Sequence, residues 1–402
     1  MLFSGLKSVC VAALAASLVP AVKADCECGY STTIGDSKEP SVFTELLESD
    51  FRRVNALGSE TNWLLPAFNV TKEKTNGLYG LNFRPSNVIT FNNKKKALWT
   101  RTEVTKPVAT SGDGLELAVS SKLDHDMASV AELDSRRADL KWGSYRTSMK
   151  LTDVPGTCAA FFWYFNETQE IDMEFLSKEF DPKAGVYPVN LIVQSPKATD
   201  SNYDAAKAGN FIRAELPFNP TRDFHEYRFD FVPGEVHFYA DGKVLAKIQG
   251  AAIPSNSGHL ILQHWSNGNN VWSGGPPAKD TSVSVKYVKA YFNSTDTGHQ
   301  HASNVRCAQA KDKKSSVCEI PDIAADKSAE DFFFGKLRLN QTLSRARFNF
   351  TNSSLDMNAR TRTKSVEEEK EEKKKKEEEG SAAVWGATQA GLFALALLMT
   401  KV

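Results

Sequence analysis

The chain has 402 residues, of which 41% are hydrophobic, and its 49 basic and 49 acidic residues cancel. With no basic surplus there is no case for nucleic acid as a partner. Length alone is no evidence for more than one domain, because an all-β sandwich can use about 250 residues.

Residues 1–24 read as a secretory signal. Lys7 supplies a basic start, Val9 to Val19 a short apolar run, and Val22-Lys23-Ala24 a cleavage site. The run is too short to span a membrane. Sequons at Asn69, Asn166, Asn293, Asn340, Asn349 and Asn352 agree with export, so the protein is expected to be secreted or displayed at the cell surface. Cys10 falls in the signal, leaving Cys26, Cys28, Cys158, Cys307 and Cys318. An exported chain with five cysteines predicts two disulfides and one buried or free thiol, in any of several pairings. Cys26-Glu27-Cys28 is a poor metal site, because no matching Cys/His pair faces it.

From about residue 40 to 293 the pattern is short strands without long amphipathic helices. Leu115-x-Leu117-x-Val119 and Tyr227-x-Phe229-x-Phe231 alternate, and Val236 to Tyr239 runs into an Asp241-Gly242 hairpin turn. His259 to Gln263 is another apolar strand, and Val283 to Phe292 closes the domain, taken as residues 25–296. Residues 297–365 are polar and carry three of the sequons. They predict a glycosylated, largely disordered tail with a local Cys307/Cys318 loop. Residues 366–379, nearly all Glu and Lys, read as a solvated stalk. Residues 380–402 carry small residues at Gly380-Ser381-Ala382, a short spacer and an apolar tail. That layout fits a glycolipid-anchor signal, with a weak membrane segment as the alternative. Membrane contact is expected only through such an anchor.

Glu170-Ile171-Asp172-Met173-Glu174-Phe175 carries the chemistry. On a strand the three carboxylates share one face and the three apolar side chains the other. By itself this pattern is most simply a solvated strand face, so the flanking residues decide. Glu170 and Glu174 have Cα atoms about 13 Å apart on an extended strand. Leaning together, their carboxyls come to about 5–6 Å, the spacing of a retaining glycosidase pair. Asp172 between them can hydrogen-bond the nucleophile, and its charge helps keep the acid protonated. Aromatic residues gather nearby: Phe161-Phe162-Trp163-Tyr164-Phe165 on the preceding strand, then Trp265 and Trp272 around a Gly/Asn/Pro-rich loop. Aromatic faces suit sugar rings. Phe161 and Trp163 should face opposite to Phe162 and Tyr164, and serve the core as readily as the site.

The segments Ala160 to Leu176, Asp223 to Asp230, Phe238 to Gly242 and Gly258 to Asn267 resemble, in this order, glycoside hydrolase family 16 across roughly residues 45 to 293. The flavour is that of fungal secreted and anchored members, with the unbulged five-residue acidic motif of lichenases and transglycosylases. The resemblance implies an all-β, concanavalin A-like β-jelly-roll sandwich of two curved antiparallel sheets with a glycan cleft on the concave face. It assigns Glu170 as nucleophile, Asp172 as assisting carboxylate and Glu174 as acid/base. Phe162, Tyr164, Trp265 and Trp272 match cleft aromatics, and Asn190, Gln194 and Arg136 are further candidates for sugar contact. His225 and His264 are at least as readily hydrogen-bonded structural histidines.

The expected function is a retaining endo-β-glucanase acting on β-1,3 or mixed β-1,3/1,4 glucan, without metal or other cofactor and as a monomer. The alternatives are a cell-wall glucan transglycosylase using the same triad, a non-catalytic glycan-binding sandwich, and a calcium site on the acidic face. The intact acidic triad argues against the second, and the lack of backbone carbonyl ligands on a paired strand against the third.

Overall fold

The computed structural model describes residues 26–335 apart from 55–56, 58–61, 76, 91–113, 197–206, 208 and 251. The signal, stalk and anchor readings, and the sequons at Asn340, Asn349 and Asn352, lie outside the described residues.

Two large sheets dominate. The site-bearing sheet runs in the order Phe211–Glu215, Pro188–Gln194, Gln169–Leu176, Cys158–Asn166, His259–Trp265, Met127–Ser135, Gly80–Phe83 and Phe68–Val70. The supporting sheet runs Lys243–Gln249, Glu235–Ala240, His225–Val232, Leu140–Lys150, Thr281–Ser294, Leu115–Val119 and Val88–Ile89. Pairing is antiparallel except between Met127–Ser135 and Gly80–Phe83 within these sheets. This is the expected all-β sandwich.

Period-two alternation builds the core. Ala159, Phe161 and Trp163, Ile171, Met173 and Phe175, and Leu260 and Leu262 project from the site-bearing sheet. They meet Tyr227, Phe229 and Phe231 of the supporting sheet in the same cluster. Phe161 packs on Phe229 with centroids 5.1 Å apart, Trp163 on Phe231 at 5.2 Å and Phe175 on Tyr227 at 4.6 Å. Each such ring contributes about 1.5–3 kcal/mol by leaving water. Phe161 and Trp163 are therefore core residues, and the Trp163 indole donates to the Leu140 carbonyl at 3.0 Å. Gly258 is held small here, since a Cβ would lie 2.3 Å from the Tyr164 carbonyl oxygen. The Asp241-Gly242 turn forms as expected, with φ of 46° and 72°, the pair of positive values a type I′ turn requires.

The segment after residue 296 departs from the expected disordered tail. Thr297–Ala308 is a helix capped by Asp296, and Val317–Glu319 adds in parallel to Gly29–Thr32 in a third, three-stranded sheet. Cys26 bonds Cys318 and Cys28 bonds Cys307. The local Cys307/Cys318 loop is thus replaced by two bridges across nearly the whole domain, and Cys158 is the free, buried thiol.

The reason lies in the supporting sheet, whose outer face is charged yet buried. Arg146 donates to the Pro321 carbonyl at 3.1 Å, Arg228 to Asp322 at 3.2 Å, and Lys289 to the Ala329 carbonyl at 2.9 Å. A polar segment docking on a charged face needs no apolar periodicity, so hydropathy does not reveal it.

Candidate active site

Strand register brings the acidic triad and most of the predicted sugar-contact residues to one face. Glu170 stands between Tyr164 and Gln194, Asp172 between Phe162 and Ile192, and Glu174 between Ala160 and Asn190. The rows continue through Tyr164 to His259, Phe162 to Ile261 and Ala160 to Gln263. Because Ile171, Met173 and Phe175 fill the core, the triad must point away from it. The hairpin joining these strands is closed by Asn166, whose side-chain oxygen accepts from the Thr168 amide at 3.0 Å, an Asx turn.

All three carboxyl groups are buried, with 3–5% of their surface exposed. Burial raises Glu170 to about 7, the Glu167 charge adding to it while a hydrogen bond from Asp172 pulls it down. Burial, and then the Glu170 charge, raise Glu174 to about 8. Burial followed by the Glu170 charge pushes Asp172 far above the ordinary carboxylate range. Asp172 therefore keeps its proton and donates a hydrogen bond to Glu170, instead of carrying the charge expected of it. The arrangement gives one carboxylate able to attack and one carboxylic acid able to donate a proton near neutral pH.

A loop after Trp265 frames the Glu174 end. The Asn267 side chain donates to the Thr75 carbonyl at 2.8 Å and accepts from Ser273 at 2.9 Å, and the Gly274 amide donates to the Asn269 carbonyl at 2.7 Å. Gly275 has φ of 89°, and a Cβ there would lie 2.3 Å from the Gly156 carbonyl. This tight weave places Trp272 beside Glu174, whose negative form its indole favours. Trp265 and Trp272 pack with Cys158, Leu176 and Ile192. Phe162 and Tyr164 pack with Ala160 and Ile261.

Six predicted residues hold a buried polar atom with no well-formed hydrogen bond among the described residues: Glu170 Oε2, Glu174 Oε2, Gln194 Oε1, Tyr164 Oη, Trp265 Nε1 and Trp272 Nε1. Orphaned groups normally find partners, and such a cluster on one face is what a polyhydroxylated ligand would satisfy. Asn190 is buried on the same face. Arg136 is not brought to Glu170. It follows the strand Met127–Ser135, which lies beyond His259–Trp265 in the sheet order, and its guanidinium donates to the Trp63 carbonyl at 3.4 Å. His225 is held by Asp241 at 2.7 Å and stacks on Phe218, while His264 is buried with Nδ1 2.8 Å from the Leu117 carbonyl. Among the described residues no group of three or more His, Cys, Asp or Glu is placed to hold a metal ion.

Sequence reasoning missed three groups. Glu132 and Asp134 lie on the same face as the triad, opposite Gln263 and Ile261, and the Gln263 amide donates to Glu132. Burial raises both, Asp134 to about 7. Their Glu-x-Asp alternation beside core Ala131 and Leu133 was the available signal. Cys158, the third, has no pattern of its own and touches Glu174.

Residues 91–289 match the model of glycosyl hydrolases family 16. A β-glucanase of Paenibacillus macerans is 32% identical over 140 residues, covering 33% of this chain and 52% of that protein. The endo-1,3-1,4-beta-glycanase ExoK of Rhizobium meliloti (strain 1021) is 25% identical over 211 residues, covering 50% and 72%. The solved Bacillus licheniformis β-glucanase aligns over 61% of this chain and 97% of its own, at 16% identity and a TM-score of 0.44. The chain spans about half the length of the first curated relatives it matches. The stretch similar to that family, residues 91–289, includes the acidic strand and the Trp265/Trp272 loop.

Proposed function

We propose that this chain is a glycoside hydrolase, a retaining endo-β-glucanase that cleaves β-1,3 or mixed β-1,3/1,4 glucan through a covalent intermediate. The carrying observation is the set of orphaned, buried polar atoms on the triad face, two of them on the carboxyls of Glu170 and Glu174. The family match and the β-glucanase names of the relatives support the substrate class. Glu170 attacks the anomeric carbon as the glycosidic bond breaks, and Glu174 delivers its proton to the departing oxygen. Glu174, now a carboxylate, takes a proton from water, which attacks the same carbon and frees Glu170. Asp172 holds Glu170 by hydrogen bond and returns it to its ionised form.

A sugar hydroxyl in place of water would make the same intermediate that of a glucan transglycosylase, acting at a cell wall. An extracellular setting is supported by the two disulfides and by the secretory pattern of residues 1–24. The test is digestion of laminarin, mixed-linkage glucan, β-1,6-glucan and chitin oligosaccharides, with a fluorescent acceptor oligosaccharide present. Short β-1,3 or mixed-linkage products are expected. Lengthened fluorescent products would move the assignment to transglycosylation, and no product from any glucan would overturn it.

A further inference from the structure

Cys158 opens the hairpin strand Cys158–Asn166. Its register partners are Leu176 and Trp265, so its side chain lies on the triad face, diagonal to Glu174. It is fully buried and is the free cysteine of the described residues. Its Sγ lies 3.6 Å from Glu174 Oε1 and 3.6 Å from the carbonyl of the adjacent Ala159, while Glu174 Oε2 has no well-formed hydrogen bond. The two oxygens of Glu174 are therefore unequal: one faces a thiol and the other is left without a well-formed hydrogen bond.

From this geometry we infer that Cys158 is a positioning residue whose S–H donates to Glu174 Oε1, confining the catalytic proton to Oε2 and aiming it at the leaving oxygen. The inference rests on Glu174 being the acid/base. When Glu174 is neutral, Oε1 is the carbonyl-type oxygen that accepts from sulfur, and Oε2–H is the donor left for the sugar. When Glu174 has given up its proton, the same S–H donates to a carboxylate, a stronger charge-assisted contact. The thiol must stay protonated through both states. Burial, and then the Glu174 charge, push its ionisation well up, so it remains a donor where Glu174 titrates. The contact favours charged Glu174, as does Trp272, against burial and the charge of Glu170. On the neighbouring strand Asn190 faces Glu174 and is neutral. Asp172, also on the acidic strand, keeps its proton.

The test compares Cys158→Ala and Cys158→Ser. Ala removes the donor, so kcat on the best glucan should fall about tenfold with KM nearly unchanged. The alkaline limb of the kcat profile should move to higher pH, by about half a unit or more, because a contact favouring the carboxylate is gone. Ser keeps a donor and should restore both. Equal losses in Ala and Ser, following their thermal stability and leaving the limb in place, would reduce Cys158 to packing and overturn the inference. A second readout needs no activity. The infrared S–H stretch, assigned by its loss in Cys158→Ala, should shift as Glu174 titrates in the wild type and stay fixed in Glu174→Gln. A stretch that ignores Glu174 overturns the contact even if no glucan is cleaved. A shifting stretch in a protein that cleaves no glucan keeps the contact and removes the functional reading.

Discussion

Replacing Glu170 by Gln should lower the titration of Glu174 by about two pH units. Glu170 and Glu174 sit on one strand face with burial of 3% exposure each, and the charge of Glu170 is the second cause, after burial, of Glu174's rise to about 8. Carboxyls about 5.5 Å apart, at an effective dielectric of about 20, repel by about 3 kcal/mol. One pH unit corresponds to about 1.4 kcal/mol, so Glu174 should titrate near pH ~6 once that charge is gone. The assay is carbon NMR of protein labelled at the glutamate carboxyl, with the Glu174 resonance assigned by its absence in Glu174→Gln. Turnover is not needed, which matters because Glu170→Gln removes the proposed nucleophile. A Glu174 titration unchanged within about 0.3 unit would mean the carboxyls are too far apart or too well screened to act as a pair.

Three further outcomes follow from the same structure. Glu174 titrates near 8 in the fold against about 4.3 unfolded, so its contribution to stability is full below about pH 4.3 and is lost as pH rises through 8. Glu174→Gln should therefore be more stable than the wild type by roughly 2–4 kcal/mol at pH 9, with the gap closing near pH 4, in urea unfolding at each pH. Asp172→Asn keeps a neutral donor toward Glu170 and should retain kcat within about tenfold, whereas Asp172→Ala should lose a hundredfold or more; equal losses would remove the donor role. Removing the Cys28–Cys307 bridge while Cys26–Cys318 stays closed reopens a ring of only about 15 residues and should cost about 3 kcal/mol by chain entropy, lowering Tm by roughly 5–10 °C in a thermal melt.

What could be read from the sequence was whatever repeats with strand period. Alternation alone puts Glu170, Asp172 and Glu174 together and sends Ile171, Met173 and Phe175 to the other face, where the structure finds them in the core. The same rule separates Phe161 and Trp163 from Phe162 and Tyr164. Contacts across the chain were not legible. Cys26 and Cys28 find partners 292 and 279 residues away, and no local spacing encodes a pairing of that range. The segment 297–335 folds by meeting Arg146, Arg228 and Lys289, partners that its own polar composition does not announce. Cys158 was missed because a single small residue has no period, and its place beside Glu174 appears only when the hairpin register is known.

The central claim is that Glu170 forms a covalent bond to sugar. A 2-deoxy-2-fluoro β-glucan oligosaccharide with an activated leaving group slows breakdown of that intermediate, and mass spectrometry of the digested protein then locates it. The account predicts one sugar adduct on the peptide containing Glu170, absent from Glu170→Gln. An adduct on a different residue, or normal turnover of glucan by Glu170→Gln, would contradict it.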